Sequence, residues 1–367
     1  MKTIEYNLFL QKAMQNAREH DTPISGCFEL TPLCNLDCKM CYIHLTDPTV
    51  KHRMLTGSQW ISLMEQAIGH GMVNALLTGG EAMTHPDFRE IYLYLINQGI
   101  CTRIKTNGLL LNSDMIELLT EYPPYHMDVS LYGCDAESCL AVTGHDVFET
   151  VSANIRAAIA AGLHLRLMIT PSAYMLPWAD RVLEYAKTLG ADEVRINALL
   201  MEANPGTGRS LEDFGLSIEE NAHIHRKYLE LFPRPPKKQT EEESEFMGTV
   251  PETESYILPK GLSCNAGRTT FAINWDGTMG PCLNFPREVI CTDVKTIGFD
   301  AAWRQVNQGV KDYTVPDECR TCSYNFSCHY CPTQHGALAA KHLCSRNTCL
   351  WLKCLTDLAE EYRKSGH

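Results

Sequence analysis

Between residues 27 and 197 short apolar runs alternate with longer amphipathic ones. The short runs are CFELT (27–31), NALLTGG (74–80), CTRIKTNG (101–108), MDVSLYG (127–133), LRLMITP (165–171) and EVRIN (193–197), and they predict six strands. Between them SQWISLMEQAIGHG (58–71), PDFREIYLYLINQG (86–99), SDMIELLTEY (113–122), VFETVSANIRAAIAAG (147–162) and WADRVLEYAKTLG (178–190) carry helical spacing. Several end on a glycine suited to a helix C-cap. Strand and helix repeating about six times imply a parallel sheet of right-handed βαβ units, either open and doubly wound or barrel-like. The strands' carboxyl ends read TGGE, TNG, SLYG, ITP and RIN. Both architectures bind ligands at that edge.

Outside this region the pattern changes. Residues 1–25 predict a short amphipathic helix without the uninterrupted apolar stretch of a signal peptide. The core is expected over 26–232. Residues 233–260, broken by prolines and a run of acids, read as a linker or a mobile substrate-facing segment. From 261 to 367 periodicity is weak until an amphipathic helix opens at Cys349. A segment of this kind struggles to fold on apolar burial, so metal is the expected organiser.

A hydrophobic fraction of 44% and the absence of any apolar run near the roughly 18 residues of a membrane span describe an ordinary globular chain, expected in the cytoplasm without a membrane partner. The net charge of -12, with no basic cluster, argues against nucleic acid. The 17 cysteines change the picture most. In a chain of this size with no export signal, they are expected as thiolates on metal rather than as disulfides.

Spacing sorts them. Cys34, Cys38 and Cys41 form CxxxCxxC directly after the first strand, where one short loop can wrap a cluster. A zinc site, with His44 as fourth ligand, and three incidental core cysteines are the other readings. Cys264, Gly277 and Cys282 form Cx12Gx4C, with NWDGT as the turn of a hairpin. Cys319, Cys322, Cys328 and Cys331 form CxxCx5CxxC, and Cys349 follows. CxxC pairs also suit a zinc ribbon. Cys27, Cys101, Cys134, Cys139 and Cys354 fall within strands or helices and read as small hydrophobes.

CNLDCKMCY after the first strand and TGGE after the second together resemble the radical S-adenosylmethionine (radical SAM) superfamily, and the C-terminal cysteines resemble its SPASM domain. The resemblance implies a partial (β/α)6 barrel followed by a small cysteine-rich domain. It implies that Cys34, Cys38 and Cys41 hold a 4Fe–4S cluster whose fourth iron binds S-adenosylmethionine, which on reductive cleavage yields a 5'-deoxyadenosyl radical. Gly79, Gly80 and Glu81 would receive the methionyl ammonium, and Tyr42 would pack near the adenine. Ser130, Arg166 and Asn197 are further candidate contacts to the cofactor. Cys319, Cys322, Cys328 and Cys349 would bind a distal auxiliary 4Fe–4S cluster, and Cys264, Cys282 and Cys331 a nearer one. The nearer cluster's fourth ligand is Cys291, Cys344 or an open position. The quartet departs from the usual pattern by having two residues, not three, between Cys328 and Cys331.

The function the resemblance implies is oxidation of a ribosomally made peptide, leaving a thioether, carbon–carbon or ether cross-link. Alternatives are dehydrogenation or epimerisation of a small molecule, and formylglycine formation on a sulfatase. The last is disfavoured because Leu283 stands after Cys282, where similar sulfatase maturases carry an aspartate base. Many peptide maturases open with a leader-gripping module, so with residues 1–25 alone before the first strand the expectation is either a separate leader-binding protein or a short peptide gripped by the barrel mouth and the linker. An electron donor such as flavodoxin or ferredoxin is expected too. His85, His126, Asp128 and the linker acids are open candidates for a general base, and none is singled out.

Overall fold

The computed structural model describes residues 6–43, 45, 47–197, 211–233, 261–322 and 330–335. Residues 234–260 of the expected linker, and the helix expected from Cys349, lie outside the described residues.

The amino-terminal part runs α1 (Tyr6–Glu19), β1 (Ser25–Glu29), α2 (Gly57–Gly69), β2 (Asn74–Thr78), α3 (Phe88–Asn97), β3 (Cys101–Thr106) and α4 (Ser113–Glu121). It continues through β4 (His126–Ser130), α5 (Ala136–Thr143), α6 (Phe148–Ala160), β5 (Leu165–Ile169), α7 (Ala179–Thr188) and β6 (Glu193–Ile196). Then come α8 (Leu211–Phe214), α9 (Ile218–Leu231), β7 (Thr270–Ile273), β8 (Thr278–Gly280), β9 (Thr292–Asp293) and α10 (Val294–Asp312). Helix starts follow local chemistry: Thr56 with Gln59, Asp135 with Ser138 and Ser217 with Glu220 each form a capping box.

The strands form one sheet ordered β6-β5-β4-β3-β2-β1-β7-β8-β9. β1 to β6 pair in parallel, as the alternating pattern predicts, and the sheet stays open as a partial barrel. β7 pairs in parallel with the free edge of β1, and the β7–β8 hairpin turns on Asn274–Gly277, within NWDGT. Gly277 takes φ 85, the left-handed conformation glycine adopts without penalty.

This pairing gives the described part of the cysteine-rich segment apolar packing of its own. Phe271 of β7 packs edge-on against Phe28 of β1, Phe299 and Trp303 of α10, and Phe28 packs on Trp60 of α2. One apolar core therefore crosses from the barrel half into the carboxyl-terminal part. A second, smaller core gathers Leu262, Phe285, Val310, Tyr313, Val315, Cys319 and Tyr330.

Side-chain alternation then sorts the two faces of the sheet. Phe28, Ile104, Met127, Val129, Leu165 and Leu167 are fully or nearly fully buried in the apolar core. Their neighbours Cys27, Glu29, Lys105, Asp128 and Arg166 therefore face the opposite side, the barrel lumen. The lumen is polar, unlike a packed barrel interior. Glu29 is buried there, its Oε1 lacks a hydrogen-bond partner among the described residues, and burial pushes its carboxyl up to about 8.

At the β1 and β2 ends two stretches of backbone touch. Gly80 N donates to Thr31 O at 2.7 Å and Glu81 N to Leu33 O at 3.0 Å. A Cβ on Gly79 would meet Thr31 O at 2.4 Å, and one on Gly80 would meet Leu33 O at 2.3 Å. Only glycine allows this approach.

Gly80→Ala is accordingly expected to lower stability by about 1–3 kcal/mol, as overpacking does. Gly69→Ala, in α2 and with a Cβ that meets nothing within 4 Å, should instead hold or raise the urea midpoint. For Glu29, the folded state keeps a proton that the unfolded chain loses at ordinary carboxylate pH. Between that range and about 8, stability should fall with rising pH by up to about 1.4 kcal/mol per unit. Thermal melts of Glu29→Gln should lose that slope and gain stability over wild type at pH 8.

Candidate active site

A cavity of about 230 Å³ opens at the carboxyl ends of the strands. Cys34, Cys38 and Cys41 line it, together with Gly79, Gly80, Ser130 and Asn197 from the ends of β2, β4 and β6. The cysteine loop is suspended by backbone. Its start is held by the glycine contact, while Asp37 N and Lys39 N donate to Thr143 O and Val142 O at 2.9 Å. Those carbonyls end α5, where a helix leaves acceptors unused. α5 was absent from the sequence-based helices, so this support was not foreseen.

Burial pushes the Cys34 thiol up to about 12, although Leu36 N–H and the Asn107 side chain both donate to its sulfur and favour the thiolate. Tyr132 lies beside all three cysteines and is hydrogen-bonded to Ser130. Among the described residues no group of three His, Cys, Asp or Glu side chains is arranged to hold one metal ion. A cluster makes a different demand, because each thiolate sits on its own iron. Three cysteines on one loop, bordering a cavity, with N–H donors on the Cys34 sulfur, fit a cluster bound by three protein ligands. His44, the alternative fourth ligand, lies outside the described residues.

The structure separates the other candidate contacts. Tyr42, Gly79, Gly80, Ser130 and Asn197 share the cavity wall with the triad. Tyr42 carries its phenol toward Glu29, Cys27 and Cys282 as well as Cys41. Glu81 does not line the cavity. Its carboxylate accepts from Asn107 N at 2.7 Å, Met83 N at 3.2 Å and Thr106 Oγ1 at 3.0 Å, and burial pushes it up to about 7. Arg166 is also off the wall. It pairs with Asp128 at 2.6 Å and borders a second cleft, with His126, His164 and Glu193, at the strands' amino ends. Alternation put Arg166 in the lumen, but its depth there is fixed by Asp128 on the neighbouring strand.

Tyr132 and Lys105 are among the wall residues that were missed. Tyr132 stands in SLYG, a segment read only for Ser130. Lys105 is exposed to the cavity, and the acid nearest it in register, Asp128, is already engaged by Arg166 and His126. The odd positions of CTRIKT, opposite the buried Ile104, were the available signal for it.

The second cysteine set approaches the same cavity. Cys264 and Cys331 both lie near enough to Cys282 to raise its thiol, which burial pushes up to about 12. Asn284, whose N–H donates to Cys282, is on the cavity wall. Cys319 is buried and Cys322 half-buried, with Tyr313 near Cys319 and Cys331. Cys328, Cys344 and Cys349 lie outside the described residues. Cys291 is exposed beside Asp276, Thr278, Arg287 and Asp293.

Residues 28–177 match the Radical SAM superfamily, and residues 264–323 match SPASM, an iron–sulfur cluster-binding domain. The antilisterial bacteriocin subtilosin biosynthesis protein AlbA of Bacillus subtilis (strain 168) is 22% identical over 340 residues, 90% of this chain and 72% of AlbA. The AdoMet-dependent heme synthase of Methanosarcina barkeri (strain Fusaro / DSM 804) is 25% identical over 358 residues, 92% of this chain and 98% of the synthase. The crystal structure of Streptococcus suis SuiB bound to S-adenosylmethionine shares the fold with a TM-score of 0.62 at 16% identity, over 88% of this chain and 77% of SuiB. With both matched domains on one partial-barrel fold, the chain belongs to the radical SAM superfamily as an enzyme with a SPASM domain, and its cofactors are 4Fe–4S clusters and S-adenosylmethionine.

Proposed function

We propose that this enzyme is a maturase that oxidises a ribosomally made peptide, leaving a cross-link such as a thioether, carbon–carbon or ether bond. The observation that supports it is the cavity wall, which carries Cys34, Cys38 and Cys41 together with Asn284, two residues after Cys282. A substrate in that space lies against both cysteine sets. When bound, the cofactors supply a 5'-deoxyadenosyl radical that takes a hydrogen atom and an auxiliary cluster that accepts the electron left behind.

The chain's own residues do the rest. Cys34, Cys38 and Cys41 hold the catalytic cluster. Cys264, Cys282 and Cys331 ligate the nearer auxiliary cluster, and Cys319, Cys322, Cys328 and Cys349 the distal one. Gly79 and Gly80 offer backbone to the methionyl ammonium, with Ser130, Asn197 and Tyr42 as further contacts. Leu36, Met40, Ile43 and Met168 form an apolar part of the wall that excludes water from a reactive intermediate. Glu81 acts at one remove, through Thr106 and Asn107.

AlbA's role in bacteriocin biosynthesis supports the peptide substrate. The peptide would come with a leader-binding protein, and the electrons from a flavodoxin or ferredoxin, in the cytoplasm. Among the described residues no helix is long and apolar enough to cross a membrane. A second reading, oxidation of a small molecule, is favoured by the alignment that spans 98% of the heme synthase.

Anaerobic incubation of the reduced, reconstituted chain with S-adenosylmethionine and a candidate peptide should give 5'-deoxyadenosine and a peptide lighter by two hydrogens, read by mass spectrometry. Deoxyadenosine from every peptide tried without a mass change would turn the assignment toward the small-molecule reading. Cys34→Ala should abolish deoxyadenosine altogether. Cys282→Ala should keep deoxyadenosine formation while losing the oxidised product, and equal loss of both would argue against its separate role in oxidation.

A further inference from the structure

Asn107 meets the cysteine triad through its side-chain amide. Its Nδ2 lies 3.6 Å from Cys34 Sγ and 2.7 Å from Asn35 Oδ1. The amide's orientation is determined by its other end, because Oδ1 accepts from Leu109 N at 3.0 Å. An amide whose oxygen is occupied in that turn must turn its N–H groups toward Cys34 and Asn35.

The backbone beneath it is equally fixed. Asn107 N donates to Glu81 Oε2 at 2.7 Å, and Thr106 Oγ1 donates to the same carboxylate. Thr106, Asn107 and Glu81 are all at most 5% exposed. In so dry a site a donor aimed at a charged sulfur is not exchanged for water. Cys34 Sγ receives a second donor, Leu36 N, at 3.4 Å, but that one belongs to the cysteine loop itself. Asn107 is the donor that comes from a different strand.

Hydrogen bonds to the sulfurs of an iron–sulfur cluster favour its reduced, more negative state and raise its potential. We propose that Asn107 is a positioning residue that tunes the catalytic cluster: its amide donates to the Cys34 thiolate, and the Glu81 carboxylate sets that amide in place. The glutamate of GGE thereby acts on the cluster through β3. This inference rests on Cys34 ligating the cluster and does not depend on a peptide being the substrate.

The test is a redox titration followed by electron paramagnetic resonance on the full reconstituted chain without peptide, reading the cluster signal that changes when S-adenosylmethionine is added. Asn107→Ser can keep the turn to Leu109 but lacks the reach to Cys34. It should keep its iron and show a ratio of reduced to oxidised cluster about tenfold lower at a fixed poise, a fall of about 59 mV for one electron. Asn107→Asp keeps the turn oxygen, removes the donor and adds a negative charge, so its potential should fall further. Wild-type potential in iron-replete variants would overturn the proposal and leave Asn107 a turn residue.

A measurement on the unsubstituted chain covers the case in which the variants fail to take up iron. With asparagine labelled by nitrogen-15 at the side-chain amide, pulsed resonance of the reduced cluster should show a nitrogen coupling. Its absence would overturn the proposal whatever the variants do.

Discussion

The cysteine triad depends on a contact between two stretches of backbone. Thr31 and Leu33 offer their carbonyls to Gly80 and Glu81, at a separation that leaves no space for a Cβ on either glycine. This fixes where the loop leaves β1, and Cys34 comes one residue after Leu33. The far side of the loop hangs from the last carbonyls of α5. Cys34, Cys38 and Cys41 are thus positioned by main-chain hydrogen bonds to two separate elements, which limits how far the thiols can wander. Ligands held this way lose less entropy on closing around a cluster than ligands on a free loop.

The same economy brings the carboxyl-terminal cysteines to the cavity. β7 extends the sheet at the edge of β1, so Phe271 meets Phe28 and α10 covers Phe271. The chain after the hairpin then has little choice of direction. Cys282 follows β8 by two residues, and Asn284 reaches the cavity wall. Because the pairing is buried and apolar, the distance between the two cysteine sets is a property of the sheet. Electron transfer between them would need no domain motion to bring them together.

Much of this was legible in the chain because it is local. Six strands, their order of appearance and the ligand edge all follow from short patterns, and NWDGT marked its own turn. The parallel pairing of β7 with β1 left no local trace, since it joins residues about 245 positions apart, Ser25 with Thr270 among them. Glu81 shows a different limit. Its motif pointed to the cofactor, yet where its carboxylate goes depends on Thr106 and Asn107, which sit on another strand. Arg166 and Lys105 make the same point from opposite sides. Both face the lumen, and only the pairing of Asp128 with Arg166 shows which cation remains for the cavity.

Charge is the property that backbone cannot supply. Burial pushes the Cys34 and Cys282 thiols up to about 12, and in the two sets neighbouring cysteines, Cys41 beside Cys34 and Cys264 with Cys331 beside Cys282, push in the same direction. Ligation requires thiolates, and several thiolates in a dry site repel one another. N–H donors such as Leu36 and Asn107 offset only part of that cost. Under the proposed ligation, cluster binding would therefore release the thiol protons, and its affinity would rise with pH. The burial that shields the cavity from water is thus the same burial that the positive charge of a cluster held there would have to offset.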